Sequence, residues 1–209
     1  GTFDNLLTRV TKDPAMLLFL DGIHNTKNNP NENYAREVME LFTLGADRGA
    51  YTEADIREVA KALTGWRADW DVLFGGWKNF RYDSGRHKTG NKTIFGNTGD
   101  YDWQDVVRLC VEHPLHASFF CTKLWSYFVP ERPSDETLAY LTGIYTSSGR
   151  QIRPVLEAMG VVLYSVDRAD EVKATVDAAA RTAFNGGQSV AVLLRQKAGL
   201  PKGSSAPGK

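Results

Sequence analysis

The sequence predicts an all-α, bundle-like domain that carries one small β-hairpin and a long polar loop. Apolar residues recur at helical spacing along most of the chain. Residues that begin helices precede these stretches, and strand signals cluster in residues 66–105, which are rich in Gly and Trp. We therefore expect a single helical domain over residues 1–200, with 66–105 as an insertion and 201–209 as a flexible tail.

The chain begins with two short helical patterns inside residues 3–20. Asp13 and Pro14 separate them, and this pair is typical of an N-cap followed by the first helical turn. A polar break over residues 21–30 follows, and its cluster of Asn, Gly and Pro predicts a loop.

The next helix is expected over residues 31–44. A helical arc places four large apolar residues on one side, and we expect them to be buried: Tyr34, Val38, Leu41 and Phe42. Arg36 and Glu40 fall on the opposite, exposed side, whereas Glu37 lies at the seam between the two. After Gly45, Thr52 begins a further helix because Asp55 completes a capping box.

Residues 66–105 differ in kind from the rest of the chain. Residues 70–74 and 77–82 flank Gly75 and Gly76 and predict a hairpin. Residues 83–102 then form a long polar loop, with strand content confined to Ile94 and Phe95.

Helical patterns resume at Asp102, which caps the next helix together with Asp105. Further helical patterns follow to the end of the chain, over residues 114–128, 138–145, 155–164, 170–184 and 190–198.

Composition excludes several functional classes. Lys and Arg number 25 and Asp and Glu number 25, so the chain lacks the cationic excess of nucleic-acid-binding proteins, and we expect no nucleic-acid partner. No apolar run reaches the roughly 20 residues that span a bilayer, so no transmembrane segment is expected. Cys110 and Cys121 are either two core residues or one bridge between helices.

The stretch Asn29–Gly45, which reads NPNENYAREVMELFTLG, resembles the signature of the bacterial family known as domain of unknown function 1800. Three further segments match that family in the same order, at residues 51–66, 87–96 and 113–129. The resemblance covers about residues 13–165.

The resemblance implies location more than chemistry. Family members are usually longer, with a region upstream of Gly1, and we expect this chain to be a part-length member. Members often carry export signals, which implies an extracytoplasmic bacterial protein. The family has no established activity, so the resemblance leaves cofactors and partners unknown.

The loop before the third helix and the start of that helix form the first candidate site. Asn31 is a natural N-cap, and Asn33 and Glu37 are four residues apart and share a face. A half-buried Glu37 could act as a general base, with the two Asn side chains binding a ligand. The alternative is structural, with Asn31 only a cap beside a surface ion-pair ladder of Glu32, Arg36 and Glu40.

The loop around His87 is the second candidate site. Arg86 and Lys88 flank His87, and such a local excess of cations could hold a carboxylate, sulfate or phosphate group. His87 could transfer protons there, or it could merely pin a turn of a solvated loop. We expect the start of the third helix and this loop to meet and form one site around Glu37 and His87.

Other motifs are better explained by structure. His113 and His116 are three apart, but His113 precedes Pro114 and is placed to cap a helix, so we predict no metal site. No phosphate-binding loop, dinucleotide fingerprint or nucleophile elbow is present.

Two functions remain open. One is a hydrolase-type enzyme that uses Glu37 and His87 on an anionic or carbohydrate ligand. The other is a non-catalytic surface module for binding or assembly, which recognises a sugar, a peptide or a protein through its aromatic hairpin. A buried, convergent polar pocket would favour the enzyme, whereas an exposed aromatic patch with satisfied polar groups would favour the binding module.

Overall fold

The computed structural model of the chain describes residues 1–194. Over this range the chain forms nine α-helices and six β-strands, and the strands pair into three separate two-stranded sheets. The fold is therefore mixed α/β, and the prediction of an all-α bundle is wrong. Two compact units divide the chain, one spanning Gly1–Gln151 and the other beginning at Ile152. The expected flexible tail at 201–209 lies outside the described residues.

The first unit holds seven of these helices and two hairpins. The helices are α1 (Phe3–Thr11), α2 (Pro14–Phe19), α3 (Asn33–Glu37), α4 (Glu53–Ala62), α5 (Trp103–Glu112), α6 (His116–Ser126) and α7 (Asp135–Ser147). The strands are β1 (Trp66–Asp71), β2 (Gly76–Tyr82), β3 (Lys92–Ile94) and β4 (Asn97–Gly99). Short 3₁₀ turns lie at Gly22–His24 and Ser84–Arg86.

The capping residues read from the sequence begin the helices as predicted. The Asp13 side chain accepts the Ala15 N–H at the start of α2. Complete capping boxes form at Thr52 with Asp55 and at Asp102 with Asp105. The core of this unit includes the buried face of α4, where Ile56, Val59 and Ala60 are fully buried.

The third helix changes its winding after one turn. A π-helical segment over Val38–Thr43 follows α3 directly, and the Leu44 N–H donates to the Met39 carbonyl five residues back. This wider turn rotates later side chains away from the α-helical arc. Tyr34 and Val38 are buried as predicted, but the prediction that Leu41 is buried is wrong.

The predicted hairpin forms from β1 and β2, which pair antiparallel and begin earlier than expected, at Trp66. The long polar loop after it contains a second hairpin, in which β3 and β4 pair around Phe95 and Gly96. The first hairpin lies against the core through Trp66, which is buried with Leu17 and Ile23.

The second unit is a β-α-β arrangement that the sequence analysis missed. It contains α8 (Ile152–Ala158), β5 (Val162–Val166), α9 (Val172–Gly186) and β6 (Val190–Leu194), and the two strands are parallel. The helices expected over 155–164 and 190–198 are therefore wrong where these strands lie, while residues 195–198 are outside the described range. A strand in a parallel pair is often a continuous apolar run, which periodicity cannot distinguish from a short buried helix.

The single domain expected over residues 1–200 stays a prediction.

Candidate functional site

Asparagine side chains hold the loop before α3 in place. The buried Asn25 donates from Nδ2 to the Ala60 carbonyl over 2.9 Å and accepts the Asn31 N–H at Oδ1 over 2.8 Å. Asn31 in turn accepts the Asn33 N–H over 2.9 Å. The N-cap position of α3 is Glu32, so the prediction that Asn31 is the N-cap is wrong by one residue. Asn25 is a positioning residue that was not predicted. Its position in a dense Asn cluster was the available signal.

Glu37 lies half-buried in the last turn of α3, as its position at the seam of the arc suggested. Within residues 1–194, no hydrogen bond or ion pair is made by its carboxylate. The side chain of Asn33 is exposed near the start of the same helix. The catalytic role of Glu37 and the ligand-binding role of Asn33 stay predictions.

His87 is half-buried, and both of its ring nitrogens face protein groups. Nδ1 lies 3.0 Å from the Thr64 carbonyl, which requires Nδ1 to carry the proton and donate. Nε2 then accepts from the Lys92 ammonium, whose Nζ is 3.4 Å away. The side chains of Arg86 and Lys88 on either side are exposed.

Lys92 is the most unusual residue of this loop, because only 2% of it is exposed. Its Nζ lies 2.9 Å from Oδ1 of Asp100, a residue at the surface. The hydrogen bond from Lys92 lowers the pKa of Asp100 below its usual value. Lys92 was not predicted as a site residue, since nothing in a single sequence distinguishes a buried lysine from an exposed one.

The two candidate loops approach each other at the end of α4. Lys27 of the first loop donates to the Gly85 carbonyl of the second over 2.8 Å. Asn25 bonds to Ala60 near the end of α4, and the Lys88 N–H donates to the Thr64 hydroxyl just beyond it. Within the described residues no contact joins Glu37 to His87, so the shared site around these two side chains stays a prediction.

A polar groove of about 540 Å³ lies beside the π-helical segment. Its lining includes Arg36, Glu40, Tyr51 and Glu53. Both terminal nitrogens of Arg36 donate to the Glu53 carboxylate, at 2.8 and 2.9 Å. None of the residues predicted to form a site lines this groove.

The β1–β2 hairpin ends in an exposed apolar apex, residues 72–74. Val72 is 84% exposed, Leu73 is 90% exposed and Phe74 is 88% exposed. Single exposed apolar residues are common on protein surfaces, but here three consecutive ones at a turn form one continuous patch.

The apex has a defined conformation because Asp71 organises it. The Asp71 carboxylate accepts the N–H groups of Leu73 and Phe74 over 2.9 and 3.3 Å, and its carbonyl accepts the Gly75 N–H over 2.8 Å. Lys78 on the opposite strand donates to the same carboxylate over 2.6 Å. This bond lowers the pKa of Asp71 below its ordinary value.

Two tryptophan side chains lie directly below the apex. Trp70 and Trp77 are cross-strand partners, and their rings meet edge to face with centroids 5.3 Å apart. Both are exposed, and Trp77 also contacts the ring of His24. The hairpin therefore divides into a buried base at Trp66 and an exposed aromatic and apolar end.

Two buried polar atoms near the base of this hairpin have no partner in the described part of the chain, Trp66 Nε1 and Arg67 Nε. Cys110 and Cys121 are both buried free thiols, and burial raises the pKa of each to about 12. No group of three His, Cys, Asp or Glu residues within residues 1–194 is placed to hold a metal ion.

None of the helices in the described part of the chain is long and apolar enough to cross a membrane. No curated protein and no solved structure is detectably similar to the chain. The family described as "Protein of unknown function (DUF1800)" matches residues 1–171, which is most of the 209-residue chain. The chain therefore belongs to this family.

Proposed function

We propose that the chain is a non-catalytic binding module whose contact surface is the end of the β1–β2 hairpin. The observation that carries this proposal is the apex, residues 72–74, with three consecutive apolar side chains held in a defined turn. Exposed apolar surface costs solubility, so a protein that fixes it in one conformation is expected to use it for contact. Trp70 and Trp77 extend the same surface, and Trp is enriched where proteins contact partners.

The state of the His87 loop also supports binding without chemistry. A general base must offer a lone pair to its substrate. In His87 the proton on Nδ1 is donated to Thr64, and the lone pair on Nε2 faces the Lys92 ammonium. A substrate would have to displace Lys92, which is buried and has Asp100 as its partner.

The proposal includes a location outside the cytoplasm, at the bacterial cell envelope. Its support is the family resemblance, because members often carry export signals. Fractionation of the producing bacterium tests the location, and recovery of the protein in the cytoplasmic fraction alone would contradict it.

The contact surface is tested by sedimentation with isolated envelope fragments. The test variant replaces Val72, Leu73 and Phe74 with serine, and the control is Phe184→Ser, which removes an equally exposed aromatic from α9. We expect the wild type and the control to sediment with the envelope and the hairpin variant to stay in solution. Equal sedimentation of all three proteins would contradict the proposal.

A second candidate is a hydrolase-type enzyme that uses Glu37 and His87, with Asn31, Asn33, Arg86 and Lys88 binding an anionic or carbohydrate ligand. Two observations favour it: the Glu37 carboxylate has no partner in the described residues, and the Lys27–Gly85 bond joins the two loops. Chromogenic ester, amide and glycoside substrates test it. The enzyme requires turnover that both Glu37→Gln and His87→Gln abolish, whereas the binding module predicts none.

A further inference from the structure

The chemistry of the hairpin end identifies what it contacts. Resting on the function proposed above, we infer that the hairpin binds a lipid bilayer, with Val72, Leu73 and Phe74 entering the acyl region. A bilayer presents a continuous apolar phase below a polar surface, and the end of the hairpin presents exposed apolar side chains with a pair of Trp side chains close to them.

The apex is convex, because all three of its apolar side chains are at least 84% exposed. A convex apolar apex needs either an apolar pocket of matching shape or a phase that accommodates any shape. Acyl chains supply the second, and binding to them increases with the apolar area that enters.

Apolar and aromatic side chains are concentrated at the end of the hairpin. Apolar side chains occupy residues 72–74, the ion-paired Asp71 and Gly76 follow, and Trp70 and Trp77 come after them on the two strands. Trp is enriched at membrane–water interfaces, where its ring is buried and its N–H stays near polar groups. Charged pairs flank the Trp pair, Lys78 with Asp71 and Arg81 with Asp69.

Three backbone N–H groups of the apex have partners within the turn. An unpaired N–H in the acyl region would cost several kcal/mol, so an inserted turn needs internal partners. The N–H groups of Leu73 and Phe74 donate to the Asp71 carboxylate, and the Gly75 N–H donates to the Asp71 carbonyl. Lys78 neutralises the same carboxylate, so the turn does not carry an unpaired charge to the surface.

The charges also indicate which lipids suffice. Asp69, Asp71, Lys78 and Arg81 form two ion pairs of zero net charge next to the apex. Attraction to anionic headgroups is therefore not needed, and insertion is driven by the apolar area. We expect binding to uncharged phosphatidylcholine vesicles with little dependence on salt.

A second copy of the chain is a poorer occupant. The polar groove beside the π-helical segment carries charged side chains at its rim, including Arg36, Glu40 and Glu53. An apolar apex placed there would desolvate these charges without giving them new partners.

Flotation of the full chain with phosphatidylcholine vesicles tests the inference. The hairpin variant with serine at Val72, Leu73 and Phe74 is expected to bind at least about a hundredfold more weakly than the wild type. Leu73→Asp should lose binding as well, and Phe184→Ser should bind as the wild type does. Wild-type binding should change by less than about threefold between low and high salt.

The outcomes separate this inference from the proposed function. Wild-type flotation that the apex variants lose would support a lipid target. Hairpin-dependent sedimentation with envelope fragments, but no flotation with vesicles, would overturn the lipid inference and leave the binding module intact. Concentration-dependent dimers that Leu73→Asp abolishes, again without flotation, would overturn it in favour of a second copy. Loss of both sedimentation and flotation in the wild type would overturn both proposals.

Discussion

Lys92 illustrates how one buried charge can organise a loop. Its Nζ is buried, yet its partner Asp100 lies at the surface, where water also reaches the carboxylate. Removing Lys92 and removing Asp100 should therefore change the free energy of unfolding by different amounts. Without Lys92, Asp100 is rehydrated, whereas without Asp100 the buried ammonium keeps the His87 ring as its remaining hydrogen-bond partner among residues 1–194.

We therefore predict that Asp100→Ala lowers the free energy of unfolding more than Lys92→Met does. Lys92→Met keeps the length of the side chain and removes the charge, so its cost should stay below about 2 kcal/mol. Urea unfolding of the two variants and the wild type measures the difference. A larger loss of unfolding free energy in Lys92→Met than in Asp100→Ala would contradict this prediction. It would mean that the charge of Lys92 itself stabilises the loop.

His116 forms a buried polar link between three elements of the first unit. Its Nδ1–H donates to the Thr43 carbonyl over 2.9 Å, which leaves Nε2 to accept from the Tyr145 hydroxyl over 2.9 Å. Burial lowers the pKa of His116 to about 4 from its ordinary value of 6.5. The folded protein therefore keeps this ring neutral under conditions in which the unfolded chain binds a proton.

Stability should accordingly fall as the pH falls from about 6.5 to about 4. Above pH 6.5 the neutral ring makes its full contribution to the free energy of unfolding. Below pH 4 as much as about 3 kcal/mol of that free energy is lost. Urea unfolding at pH 7 and pH 4.5 measures the loss, and His116→Gln should reduce it. His24→Gln is the matched control, because His24 is exposed. An equal pH dependence in wild type and His116→Gln would contradict the assignment.

At the scale of one element, the π-helical segment explains a wrong prediction. The prediction for residues 34–42 placed the side chains at the α-helical rotation of about 100° per residue throughout. The segment Val38–Thr43 winds more widely, so Leu41 emerges with 49% of its surface exposed while Val38 is fully buried. A wide turn of this kind depends on how the helix packs, and single-sequence periodicity carries no signal for it.

Two substitutions test the winding in solution. Val38→Ala should cost about 1–3 kcal/mol of unfolding free energy because it leaves a cavity in the core. Leu41→Gln should change that free energy by no more than about 0.5 kcal/mol, since half of the side chain is already in water. Denaturant unfolding measures both. Similar large losses would mean that Leu41 is buried and that the segment is α-helical.

The strands β5 and β6 are a second case in which the predicted element type was wrong. Val162–Val166 is a short apolar run that follows Gly160, which has a positive φ and ends α8. The run is too short for its periodicity to decide between helix and strand. Its partner β6 lies 24 residues further along the chain, and that pairing is visible only in three dimensions.

For the whole molecule, helix caps and the first hairpin were predictable from the sequence, whereas the pairing of strands far apart in the chain was not. The caps at Asp13, Thr52 and Asp102 and the first hairpin follow from residue types at fixed spacing. The mixed α/β class depended on β5 and β6, so the fold class was predicted incorrectly.

The candidate site shows the same division. The loops of Asn31 and His87 were predictable from residue types. The burial of Lys92 and the positioning role of Asn25 were not, because they depend on contacts between distant segments. The exposed apex was visible only as an apolar stretch inside a predicted hairpin, because exposure is a property of the folded chain.

Hydroxyl-radical footprinting of the full chain, with and without bacterial envelope fragments, tests most directly the claim that the hairpin end is the contact surface. The structure predicts that the reactive side chains Leu73 and Phe74 lose much of their labelling when envelope is present. Phe184, which is equally exposed in the free protein as Phe74, should label as before. Unchanged labelling at Leu73 and Phe74, together with protection at His24 and His87 beside the two polar loops, would contradict the claim.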